Sequence, residues 1–273
     1  MDRRQLAKQL SAIENGELQA VDSDGLVIAI TGPPGVGKSC LVDGILHRLT
    51  PKHKVAVLAV DPTSPISGGA LLGDRIRLTV LDDKTKAESI YVRSIATRSS
   101  SGSIPSIVRG LASHLLTNKF DIVLIETVGA GQSEMRCAAI ANRIIVVEGP
   151  ARGDGIQAEK AGLLELADLI VVNKSDMAGS ERVVNDLTVS LTLTDDAPPI
   201  IRTSAITGEG LDELASVLMN LEERTTSRRA RARQQLLMAH ENIITQKPAF
   251  ESILDRMSEE GLVLEEALRQ LNE

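Results

Sequence analysis

Aromatic side chains are nearly missing: the 273 residues hold no tryptophan, with Tyr91, Phe120 and Phe250 as the whole complement. The core must therefore be aliphatic, and stacking of nucleic-acid bases on aromatic platforms is excluded as a main binding mode. Cysteine is equally scarce. Cys40 and Cys137 supply neither a disulfide framework nor a C-x-x-C metal pair, which fits a reducing compartment. No apolar run approaches the length that spans a bilayer, and the opening Met1-Asp2-Arg3-Arg4-Gln5-Leu6 lacks the apolar core of a signal peptide. A cytoplasmic protein without membrane contact is the expectation. A net charge of −7 argues against a nucleic-acid partner held by bulk electrostatics.

What is present is an alternation of short apolar runs with longer amphipathic segments. Runs at 26–31, 54–60, 89–94, 121–126, 143–148, 168–173 and 199–203 read as strands, several so continuously apolar that both faces must be covered. Helices are predicted at about 38–49, 105–118, 158–166, 179–192 and 211–223. The fold class is α/β: a P-loop NTPase with a doubly wound, mostly parallel sheet and helical N- and C-terminal extensions. The divisions expected are 1–24 for an N-terminal helical extension, 25–224 for the nucleotide domain and 225–273 for a helical tail that can serve dimerisation. Arg228, Arg229, Arg231 and Arg233 in that tail read as a solvated helix face.

The most informative stretch is Gly32-Pro33-Pro34-Gly35-Val36-Gly37-Lys38-Ser39, placed between the apolar run 26–31 and a helical segment. A buried strand, a glycine-rich turn and a helix let successive backbone N–H groups wrap a phosphate chain, with the helix dipole adding positive charge. Gly35, Val36, Gly37, Lys38, Ser39 and Cys40 form the predicted phosphate-contacting set. Lys38 is the mobile cation for the β- and γ-phosphates, and the Ser39 hydroxyl is a ligand for the bridging magnesium.

Asn173-Lys174-Ser175-Asp176 follows the apolar strand Leu169–Val172, at the sheet's carboxyl edge where open α/β sheets bind ligands. A carboxylate at Asp176 accepts from guanine N1–H and the exocyclic amine; adenine offers neither donor there. Guanine is the predicted base, with Asn173 holding neighbouring loops and the Lys174 stem covering base or ribose. Ser204 and Ala205, just past the strand at 199–203, are positioned to cap the guanine O6 and support Asp176. An ordinary loop capping the helix at 211 accounts for the same residues equally well.

Three carboxylates sit at or after strand ends: Asp61, Asp74 beyond the glycine-rich 68–73 segment, and Glu126. Their convergence on the edge that carries a phosphate loop points to a metal and water site, with Ser39, Asp61, Asp74 and Glu126 as metal candidates. Gln132 is a candidate for positioning water, and Gly129 and Gly131 make the loop between able to respond to a γ-phosphate.

These residues together resemble the MeaB/ArgK family of GTPases, which are G-protein chaperones of adenosylcobalamin-dependent acyl-CoA mutases, methylmalonyl-CoA mutase above all. The resemblance rests on Asp61-Pro62-Thr63-Ser64, the run from Gly68 to Asp74, the run from Glu126 to Glu134, and Asn173-Lys174-Ser175-Asp176. It implies GTP and GDP as ligands, Mg2+ as cofactor, a homodimer, and such a mutase as partner. It further implies a first switch at 61–74, a second at 126–134, and a third containing Gly149-Pro150-Ala151-Arg152-Gly153-Asp154, Gln157 and Lys160. Asp154 and Lys160 are functional candidates by the resemblance alone. The chain departs from the family in having Pro65-Ile66-Ser67 before Gly68 and in a tail without tryptophan. The alternative weighed against this is a metallochaperone GTPase for nickel or zinc. Such proteins carry Cys or His clusters, whereas His47, His53, His114 and His240 are scattered here.

Overall fold

The computed structural model describes residues 2–61, 78–96, 107–127, 135–150, 158–192 and 196–272, with only the backbone described for Asp61 and 158–161. In chain order the elements are α1 (Arg3–Glu14), β1 (Leu26–Thr31), α2 (Lys38–Leu49), β2 (Val55–Asp61), α3 (Lys84–Ala87), β3 (Ile90–Ala96), α4 (Ile107–Thr117), β4 (Ile122–Glu126), β5 (Arg143–Glu148), α5 (Ala158–Leu166), β6 (Leu169–Val172), α6 (Ser180–Leu191), β7 (Ile200–Arg202), α7 (Leu211–Met219), α8 (Thr225–Thr245), α9 (Phe250–Glu259) and α10 (Leu264–Asn272).

Among the described residues seven strands form one sheet in the order β3-β2-β4-β1-β5-β6-β7, and every pairing is parallel. Apolar runs become such strands because alternate side chains enter opposite layers. Val27 and Ala29 of β1 join one apolar cluster with α1, α4 and α5, while Ile28 and Ile30 join the other with α2 and α7. The same division holds along β4, where Val123 and Ile125 face the first layer and Ile122 and Leu124 the second. Leu6, Leu10 and Ile13 of α1 belong to the first layer too, so this N-terminal helix is part of the core packing.

The tail differs from a uniformly solvated basic face. Arg228, Arg229 and Arg233 are exposed, as the sequence suggests, but Arg231 is buried and pairs with Asp168 under the sheet. The physical reason is that Asp168, just before β6, is itself buried and needs a counter-charge. Met238 of α8 joins the main core, while Ile253, Ala267 and Leu271 make a small separate cluster at the end of the chain.

The candidate nucleotide site

β1 is central, flanked by β4 and β5, so the loop leaving it opens between the carboxyl ends of three strands. Gly32 takes φ +142°, and a Cβ there would lie 2.1 Å from the Val147 carbonyl oxygen. Gly37, at φ +92°, brings the backbone so close to Asn173 that a Cβ would stand 2.6 Å from Nδ2. Only glycine satisfies both positions. α2 begins at the next residue and anchors the loop by burying Leu41, Val42, Ile45, Leu46 and Leu49 beneath it.

Lys38 is buried, and its ammonium donates to the loop's own carbonyls, Gly32 O at 2.6 Å and Pro33 O at 3.1 Å. Ser39 Oγ donates to Glu126 Oε1 at 2.7 Å. Glu126 is the last residue of β4, opposite Ile30 of β1, and is buried. Ser39 and Glu126 are thus brought together as the sequence predicts. They form a pair of hard oxygen donors at one edge, the chemistry that suits Mg2+. Asp61 is the last residue of β2, the neighbouring strand, two positions past the rung that pairs Ala59 with Glu126. Asp74, Gln132 and Asp154 lie outside the described residues, and Lys160 stands in the first turn of α5 with only its backbone described.

On the other side of the loop, Asn173 is buried and joins three segments. Its Nδ2 donates to Val36 O at 2.8 Å, and its Oδ1 accepts from Thr203 Oγ1 and Ala205 N, both at 3.2 Å. Lys174 adopts φ +63° and donates from Nζ to Gly35 O at 2.7 Å. The tight turn that results leaves Asp176 exposed, and Ser175 N donates to Thr203 O at 2.9 Å, joining the turn to the segment that carries Ala205 and the fully buried Ser204. Two contributors escape the motif reading. Thr203 supplies a hydroxyl from the end of the last strand region. Glu209 accepts from Ser175 Oγ at 3.0 Å and, through its backbone carbonyl, from Ser204 N at 3.0 Å. The signal for Glu209 is its place in the Thr207–Gly210 turn; Thr203 carries none beyond ending an apolar strand.

A phosphate loop that leads into a helix from the middle of an all-parallel sheet, tied by an Asn-Lys-Ser-Asp turn, defines a P-loop GTPase. The chain belongs to the family described as methylmalonyl Co-A mutase-associated GTPase MeaB, whose model matches residues 4–261. A Pyrococcus horikoshii relative with GTPase in its name is 38% identical over 230 residues, 78% of this chain and 72% of the relative. GTPase ArgK of Escherichia coli is 33% identical over 211 residues, 74% of this chain and 63% of that one. The mouse methylmalonic aciduria type A homolog is 36% identical over 196 residues, 68% of this chain and 46% of that one. Among solved structures, a LAO/AO transport system kinase matches with TM-score 0.56 and 21% identity, covering 100% of this chain and 98% of that one. HypB from Helicobacter pylori, in complex with nickel, matches with TM-score 0.53 and 19% identity over 79% and 94% of the two chains. These two likenesses show the fold. The chain is accordingly a GTP hydrolase by family. Among the described residues no helix is long and apolar enough to cross a membrane.

Proposed function

We propose that this chain is a magnesium-dependent, cytoplasmic GTPase that acts as chaperone for an adenosylcobalamin-dependent acyl-CoA mutase, loading or protecting its cofactor. The observation that carries the hydrolytic part is the Ser39–Glu126 pair at 2.7 Å beside the buried Lys38, at the mouth of a glycine loop. Ser39 and Glu126 would hold Mg2+, with Asp61 and Asp74 as further candidates. When bound, the ion neutralises charge on the β- and γ-phosphates. Gly35, Val36, Gly37 and Cys40 present backbone to the phosphates, Lys38 balances the charge that builds on the γ-phosphoryl group, and Gln132 orders the attacking water.

Base recognition is assigned to Asp176, with Lys174 over the ring and Ser204 and Ala205 at the O6 edge. Asn173 supports that arrangement because it fastens the base-reading turn to the phosphate loop at Val36 and to Ala205. Selection of guanine and placement of phosphate are then not independent, since one side chain sets both.

The mutase reading is supported by the family description and by the name of the mouse relative. A homodimer is part of the same proposal. Leu236, Leu237 and Ile243 of α8, Leu254 of α9 and Leu264 and Leu268 of α10 are exposed apolar residues concentrated in the tail. The deciding experiment measures GTP turnover with and without a purified adenosylcobalamin mutase encoded beside this gene. Acceleration is expected. No acceleration and no complex in any nucleotide state would sink the chaperone reading and return attention to nickel or zinc delivery.

A further inference from the structure

Two buried hydroxyls lie under the site and have no part in the chemistry above. Thr31 ends β1, immediately before Gly32, and Thr127 directly follows Glu126. Their side chains meet: Thr127 Oγ1 donates to Thr31 Oγ1 at 2.9 Å, with the residues 2% and 0% exposed. By strand alternation both side chains lie on the face of Val27, Ala29, Val123 and Ile125, all buried in the first apolar layer, so valine would match both shape and setting. A hydroxyl at such a place costs desolvation unless it is bonded, and a pair of them facing each other indicates that the bond itself is used.

The location shows for what. The β1–β4 ladder is parallel and its last paired residues are Ile30 and Glu126. Thr127 N donates to Ile30 O at 3.1 Å as the closing backbone rung. Beyond it the chain of β1 enters the phosphate loop and α2 with Ser39. The threonine bridge ties the two strand ends side chain to side chain at that last rung. It clamps the backbone adjacent to Glu126 to the backbone that launches Ser39. A short contact such as Ser39–Glu126 depends on that spacing.

We propose that Thr31 and Thr127 are a positioning pair, whose hydroxyl bond sets the distance between Ser39 and Glu126 and so the strength of metal binding at the phosphate edge. This rests on the reading of Ser39 and Glu126 as Mg2+ ligands. The pair touches neither nucleotide nor metal and acts through the strand ends.

The test is a fluorescence titration of a labelled GTP with the full chain, with and without Mg2+, reading the factor by which the ion tightens binding. Outer residues that orient metal ligands typically alter metal affinity by about 10-fold or more, so Thr127→Val should cut that factor by about tenfold while changing the Mg2+-free affinity for the labelled GTP by no more than about twofold. Thr127→Ser keeps the hydroxyl and should retain the wild-type factor. Thr31→Val should match Thr127→Val, and the double variant should be no worse than either, because both remove one bond. Melting temperatures are recorded alongside, and if Thr127→Val does not fold, the double variant, which leaves no unpaired hydroxyl, carries the same comparison. A wild-type factor in Thr127→Val, or equal loss in Thr127→Ser and Thr127→Val, overturns the proposal. Glu126→Gln separates the two levels: an unchanged factor there means the metal reading itself fails, whereas loss there with none in Thr127→Val removes only the positioning role.

Discussion

Arg231 of the tail helix forms a buried ion pair with Asp168, the two side chains being 3% and 0% exposed. Arg231 Nη1 also donates to Asn142 O. The Asp168 carboxylate further accepts from Ile144 N at 2.7 Å and Arg224 N at 3.1 Å. One carboxylate therefore fastens α8 to the amino-terminal ends of β5 and β6. Desolvation makes such a pair a poor source of net stability, but removing one partner strands the other charge, at a cost of about 3–5 kcal/mol. Arg231→Ala should lower the urea midpoint accordingly, and Arg231→Lys should recover part of it. A midpoint within error of the parent would show that the tail is held by apolar packing alone.

Guanine selectivity is the prediction attached to Asp176. GDP should bind far more tightly than ADP by calorimetric titration, and Asp176→Ala should cost about 1.5–3 kcal/mol of GDP affinity. Asp176→Asn replaces an acceptor with a donor, so preference should move toward xanthosine nucleotides, whose ring carries a carbonyl in place of the amine. Equal affinity of the parent for GDP and ADP overturns the assignment.

His114 supplies the pH dependence. It lies on α4 with Nε2 3.1 Å from Gln9 Oε1 of α1, and burial pushes its pKa below the ordinary histidine value of 6.5. The unfolded chain then binds the proton more readily than the folded one. Its effect is absent well above pH 6.5, and stability is lost as pH falls through 6.5 toward the lower folded value. The drop in melting temperature between neutral and mildly acid buffer should be smaller in His114→Gln than in the parent. Identical pH profiles would rule out this histidine as a contributor.

Lys160 bears on the partner. It stands in α5, outside the phosphate-loop and base-reading motifs. If the segment from Gly149 to Lys160 carries the nucleotide state to the mutase, nucleotide identity and mutase affinity are linked in both directions. Lys160→Ala should then weaken mutase-stimulated turnover more than nucleotide binding. Equal weakening of both would place Lys160 in the nucleotide site instead.

Short-range chemistry made much of this protein legible without coordinates. The phosphate loop, the Asn-Lys-Ser-Asp turn and Glu126 at a strand end are local motifs, each defined by residues adjacent in the chain and by apolar runs long enough to mark strands. The all-parallel order and the central place of β1 needed tertiary structure, because strand neighbours are chosen by how two helical layers pack rather than by any one run. Arg231 and Asp168 show the same limit from the other side. Arg231 reads as one of several exposed arginines and Asp168 as the start of a strand, since they stand 63 positions apart and nothing local shows that each neutralises the other's buried charge. Thr31 and Thr127, 96 residues apart, likewise look like ordinary strand-ending threonines until β1 and β4 pair. The sequence by itself marked out the candidate segments for phosphate and base, because that chemistry is written in consecutive residues. Tertiary structure alone decided which buried polar groups meet beneath them, because those partners are brought together only by the packing of distant strands and helices.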